Sequence, residues 1–126
     1  MPDSVGRVNT PATPVGPYTP IVRAGDWLVV SGQVGIADGQ LVAGGVAGEL
    51  RQAIANLEAH LATEGASLSD VVKTTVFLRH MSDYTQMNAT YVAAFGDHRP
   101  ARSAIGVAEL PIGALVEVEA WAWVGG

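Results

Sequence analysis

Residues 114–124 alternate with a period of two, and this constrains the fold more than any other stretch of the chain. Ala114, Val116, Val118, Ala120, Ala122 and Val124 fall on one side of an extended backbone, while Leu115, Glu117, Glu119, Trp121 and Trp123 fall on the other. The first side is apolar and mostly small, which suits helices packed closely over it. The second carries two carboxylates and two indoles. Helices on one face only would leave those indoles on an open sheet, and exposed aromatic area of that size marks a partner surface. The pattern therefore predicts a sheet covered by helices on one face, with the bare face closed by copies of the same chain in a symmetric oligomer. The competing arrangement packs both tryptophans under the chain's own N-terminal segment.

The other elements follow from local patterns. Ile21–Arg23 and Trp27–Gln33 are apolar runs joined by Gly25-Asp26, a tight-turn signal. Asp38-Gly39 repeats that signal and leads into a short strand around Leu41-Val42. Val46, Leu50, Ile54, Leu57 and Leu61 form one stripe of an amphipathic helix that Gly65 is placed to end. Val71–Leu78 is β-branched and strand-like. Ser82 is a candidate N-cap with Asp83 in the first turn, ahead of a second stripe through Tyr84, Met87, Tyr91 and Phe95. Arg102–Val107 and Ala114–Val124 close the chain as strands. The order is β-β-β-α-β-α-β-β, an α+β fold with a six-stranded mixed sheet and two helices on one face.

At 126 residues the chain is a single domain, 1–126, with 1–15 as an extended N-terminal strap. Pro11, Pro14, Pro17 and Pro20 keep that strap out of helix. The absence of cysteine removes disulfides, thiolate metal sites and cysteine nucleophiles, and fits a reducing, cytoplasmic setting. A net charge of −5, with one lysine and six arginines spread along the chain, is a poor start for gripping a phosphate backbone, so no nucleic-acid partner is expected. No apolar run reaches the ~18 residues of a membrane span. His60, His80 and His98 lack ligand spacing, so no metal is expected, and Gly44-Gly45-Val46-Ala47-Gly48 lacks the ending of a phosphate-binding loop.

What remains points to a small ligand. Arg102, in Pro100-Ala101-Arg102-Ser103, offers a guanidinium fork that can hold a carboxylate through two parallel hydrogen bonds. Glu117 and Glu119 point the same way from their strand; they could pair with that arginine, or leave one acid free to hold a water. Tyr18 follows Gly16-Pro17 on a stiff backbone that suits a phenol held over a pocket. Ser31 alternates with Trp27, Val29 and Gln33 on one strand face, and Gly32 beside it permits close approach of a backbone or ligand. Asn88 is a polar amide on the second helix stripe and needs a partner.

Several segments together resemble the RidA/YjgF family of enamine/imine deaminases. They are Gly16-Pro17-Tyr18-Thr19, Val30-Ser31-Gly32-Gln33, Gly65-Ala66-Ser67-Leu68 with Asp70–Leu78, Met87–Tyr91, Pro100–Ala104 and Gly113–Ala120. The resemblance implies a chorismate-mutase-like fold and a homotrimer whose sheets form a central barrel, with clefts between subunits as active sites. It implies cofactor-free hydrolysis of reactive enamine/imine acids such as 2-aminoacrylate to 2-keto acid and ammonium. Arg102 would clamp the substrate carboxylate and Glu117 would position water, while Tyr18, Ser31, Gly32, Asn88 and Ala104 line the pocket. Ala104 stands where some members carry cysteine. The alternative is a non-catalytic module of the same fold that binds or senses a small carboxylate. A ribonuclease or translation inhibitor fits less well, given the acidic charge and the lack of a histidine pair for acid–base cleavage.

Overall fold

The computed structural model describes the backbone of residues 5–7 and all of residues 16–126. Two helices pack on one face of a mixed sheet. The strands are β1 (Val5–Arg7), β2 (Ile21–Ala24), β3 (Trp27–Gln33), β4 (Ile36–Ala37), β5 (Gln40–Leu41), β6 (Val71–Leu78), β7 (Ala101–Gly106) and β8 (Val116–Trp123), and the helices are α1 (Gly45–Ala62) and α2 (Tyr84–Phe95). The main sheet has six strands in the order β1-β2-β3-β8-β6-β7. Its membership differs from the sequence reading. The strand expected near Leu41 leaves this sheet and pairs with β4 in a two-stranded hairpin of its own. The Asn56 amide on α1 donates to the Val34 and Ile36 carbonyls (3.2 and 3.0 Å), tying the hairpin's entry to the helix. The sixth place is filled by β1, antiparallel to β2. Apart from β1, the strap expected over 1–15 lies outside the described residues.

The alternation in β8 holds. Val116, Val118, Ala120 and Ala122 are fully buried beneath the helices, while Trp121 and Trp123 are 45% and 43% exposed. Along α1 the predicted stripe of Val46, Leu50, Ile54, Leu57 and Leu61 is buried in the same core, joined by Met87, Tyr91 and Phe95 of α2. Gly65, at φ 71°, ends the first helix as expected: its N–H donates to Ala62 and the N–H of Ala66 to Leu61, so two terminal carbonyls find donors. Ser82 does not cap α2. It lies inside a short 3-10 turn, Met81–Asp83, and Asp83 takes the cap position without a side-chain bond. His60, on the core side of α1, is 1% exposed, and its Nδ1 has no hydrogen-bond partner.

Two departures from a simple meander set the geometry of the site. First, β7 does not lie beside the acidic strand β8. The β6–α2–β7 connection makes β7 parallel to β6 at the sheet edge, and β8 returns antiparallel between β3 and β6. Second, the pairing of β3 with β8 slips between Val30, opposite Ala120, and Gln33, opposite Val118. The extra residue is a β-bulge at Ser31-Gly32, which turns Gln33 to the helix face, where it is buried. Gln33 therefore does not share a face with Ser31, against the strict alternation assumed from sequence.

Candidate active site

The bulge turns Ser31 and Gly32 together toward the bare side of the sheet, above Glu117. A cavity of about 320 Å³ lies there, lined by Tyr18, Ser31, Gly32, Val34, Pro111 and Glu117. Four of the seven residues singled out from sequence thus line one cavity. Ser31 holds the Tyr18 segment in place, its Oγ donating to the Thr19 carbonyl (2.8 Å) and its N–H to Pro20 (2.8 Å). Pro111 belongs to the turn that leads into β8, and that turn is anchored where the Leu115 N–H donates to the buried Glu49 carboxylate (2.9 Å). The Glu117 carboxyl has its pKa raised, mainly by burial and then by the charge of Glu119 two residues along the same face.

Arg102, Asn88 and Ala104 lie elsewhere. In β7 the partners of Arg102 and Ala104 are Thr74 and Val76, both buried beneath the helices, so the two side chains share the helix face. Glu117 pairs with Phe77, on the opposite face. Within one chain the backbones of Arg102 and Glu117 are ~14 Å apart, from two strand spacings across and three residues along. The pairing of Arg102 with Glu117 or Glu119 considered from sequence is therefore absent in the single chain. The sheet order separates the groups and the pleat turns them to opposite sides.

Neutral groups hold the guanidinium instead. Its Nη2 donates to Asn88 Oδ1 (2.8 Å) and to the Tyr84 hydroxyl (3.3 Å), and its carbon lies 4.8 Å from the centre of the Tyr91 ring. Tyr91 is fixed in turn by a buried 2.7 Å hydrogen bond to Thr74, the residue paired with Arg102 across the sheet. Among the described residues both ion pairs belong to Arg23, so no carboxylate neutralises Arg102. Asn88 has the partner its place on the stripe required. Tyr84, Tyr91 and Thr74 were missed as site residues: the tyrosines read as core stripe, and nothing local marks a threonine in a β-branched strand.

The arrangement offers an oriented, uncompensated cation at the sheet edge and a half-buried acid over a cavity on the bare face. Among the described residues no group of three acidic or histidine side chains is gathered as for a metal, and no helix is long and apolar enough to cross a membrane.

Comparison with known proteins places this architecture. The sequence model of the family described as endoribonuclease L-PSP matches residues 9–124. A mouse protein named 2-iminobutanoate/2-iminopropanoate deaminase is 42% identical over 123 residues, covering 96% of this chain and 90% of its own length. Among solved structures, the Escherichia coli YjgF gene product superposes with a TM-score of 0.84 at 39% identity, covering 91% of this chain and 93% of that one. E. coli TdcF with bound serine superposes with a TM-score of 0.88 at 30% identity, over 95% and 99% of the two chains. The chain thus belongs to the endoribonuclease L-PSP family, the RidA/YjgF group that its motifs resemble.

Proposed function

We propose that this protein hydrolyses small enamine/imine acids to 2-keto acids and ammonium at seams between the subunits of a homotrimer. The observation that carries the reading is the Arg102 guanidinium, aimed by Asn88, Tyr84 and Tyr91 yet left without a carboxylate partner among the described residues. A cation ordered this way is prepared for an external anion. The relatives named as deaminases and the serine-bound neighbour point to an amino-acid-like ligand bearing a carboxylate.

A seam supplies what one chain lacks. Arg102 stands on the edge strand β7 of one subunit, and the cavity with Glu117 opens on the bare face, where the exposed indoles of Trp121 and Trp123 favour burial by a neighbour. An edge of one copy meeting the face of the next is a heterologous contact, which three copies can close into a ring. In that seam Arg102 clamps the substrate carboxylate and leaves its C2 iminium carbon near Glu117 of the adjoining subunit. Water adds to C2 as Glu117 takes one of its protons, giving a carbinolamine. The protonated Glu117 then returns that proton to the amine nitrogen, and as the C–N bond breaks the hydroxyl proton passes to the departing ammonia, leaving ammonium and the 2-keto acid. The iminium carbon is already electrophilic, so positioning plus general-base assistance of ~10²–10⁴-fold is sufficient. Tyr18 and Ser31 shape the cavity wall, and Ala104 lies beside Arg102 on its strand face.

The test couples the protein to a dehydratase that releases 2-aminoacrylate and follows ammonium or keto acid. Wild type should outpace buffer, and Arg102→Ala should match buffer. Wild-type protein no faster than buffer would instead leave a carboxylate-binding module of the same fold.

A further inference from the structure

A methyl group built on Gly32 would lie 2.6 Å from both Cδ and Oε1 of Glu117 and 3.0 Å from its Cγ. The space a side chain would fill at residue 32 is occupied by the acid's own head group. That space exists because of the bulge, which brings Ser31 and Gly32 together over β8. We propose that Gly32 is a positioning residue: its missing side chain is the recess that holds the Glu117 carboxyl over the cavity. This rests on the reading of Glu117 as the acid that places water.

The nature of the contact makes the proposal testable. The obstructed atoms are the far end of a flexible side chain, and Gly32 does not need a left-handed backbone. An alanine at 32 therefore displaces the Glu117 head group rather than the fold. Gly35, three residues on, is the contrast. There a methyl would meet the backbone of Glu49 at 2.5–2.9 Å, and the helix backbone cannot step aside. Two glycines in one segment thus serve different ends, Gly32 shaping the site and Gly35 letting α1 pack. The ionisable groups facing the Glu117 carboxyl are Glu119 on its own strand face and the Tyr18 phenol across the cavity. The atoms nearest a methyl at 32 all belong to Glu117, so a change in Glu117 reports first its own displacement.

The experiment compares Gly32→Ala, Gly35→Ala, Glu117→Gln and the Gly32→Ala/Glu117→Gln double variant. Gly32→Ala should keep its Tm within a few degrees and lose at least ~10-fold in kcat with KM nearly unchanged, as expected when general-base placement is lost. Gly35→Ala should lose Tm. The double variant should be within about twofold of Glu117→Gln, because both changes act on one group. Independently of turnover, the carboxyl-carbon NMR titration of Glu117 should move toward lower pH in Gly32→Ala as the group leaves its half-buried place. An unchanged titration, or multiplicative losses in the double variant, overturns the proposal. If Gly32→Ala does lower Tm, the loss should vanish on a Glu117→Ala background; persistence there also overturns it. Wild-type turnover by Glu117→Gln would defeat the assigned role of Glu117 yet leave the titration result to decide that of Gly32.

Discussion

Mixing two crippled variants should restore activity. Arg102 and Glu117 lie on opposite faces of the same sheet with backbones ~14 Å apart, too far for a three-carbon imino acid to touch both within one chain. In the proposed ring each site takes Arg102 from one subunit and Glu117 from its neighbour. Arg102→Ala and Glu117→Gln homo-oligomers should each keep at most a small residual activity, since every seam lacks one partner. Co-refolded at equal concentration, the two chains assemble at random. A given seam then has an intact arginine in about half the cases and an intact glutamate in about half, so about one seam in four recovers both. The dehydratase-coupled assay should return roughly a quarter of wild-type activity from the mixture and a few per cent or less from either parent. Native mass spectrometry of differently tagged chains confirms that mixed oligomers formed. If they form and gain nothing over the parents, Arg102 and Glu117 do not share a site across the seam and the proposed mechanism fails.

Four further outcomes follow from the same structure. Arg102→Lys keeps the charge but loses the fork, and forfeiting one charge-assisted bond at about 1.5–3 kcal/mol should cost roughly 10- to 100-fold in kcat/KM; a loss below threefold would refute the clamp. Trp121→Asp, on the bare face, should lower the native mass from the proposed trimer's, about three times 13.0 kDa, to that of a single chain, read by size exclusion with light scattering. Thr74→Val strands the buried Tyr91 hydroxyl, at about 1–3 kcal/mol, and calorimetry should show Tm falling by roughly 4–10 °C. His60 has its pKa lowered by burial, so the unfolded chain binds the proton more readily than the folded one. Its neutral form therefore supports stability above the ordinary histidine range, and stability should fall as pH drops through and below it; a His60→Leu variant should lose that part of the pH dependence in melts from pH 7.5 to 5.

Period was legible in the sequence; pairing was not. The β8 alternation announced both faces of the sheet, and the α1 stripe named the core residues that are buried. Those patterns are local, because side-chain direction follows backbone geometry within a few residues. Which strands would be neighbours depends on long-range contacts. The insertion of β8 between β3 and β6, the parallel edge strand β7 and the separation of the β4–β5 hairpin from the main sheet therefore left no mark within a short window, although the hairpin's own Asp38-Gly39 turn did. The Ser31-Gly32 bulge shows the limit most clearly. Both residues stood out as chemically unusual, yet strict alternation placed Gln33 on the wrong face, and one inserted residue reverses everything after it. The site residues fared similarly. Arg102, Glu117, Tyr18, Ser31 and Asn88 were visible as polar or stiff groups in apolar settings. The aromatic bed under Arg102 was not, since Tyr84 and Tyr91 satisfy a helix stripe equally well as core.

The split of the site across two faces also has an electrostatic logic. An arginine and a glutamate folded into contact would form an ion pair, and the guanidinium would hold the carboxyl below its usual range. The observed direction is the reverse: Glu117 is raised, by burial and by Glu119, as expected of an acid with no cation beside it. Arg102 meanwhile spends its hydrogen bonds on an amide and a phenol that leave its charge intact. Each half therefore folds without quenching the other. In the proposed ring the two charges come within reach of one another only through the seam, where an anionic substrate would lie against the guanidinium. A carboxyl raised in this way is also the stronger base once it is ionised, which suits it to take a proton from water attacking an iminium carbon. Had the topology placed β7 against β8 with both side chains on one face and in register, the same two residues would have neutralised one another before any ligand arrived.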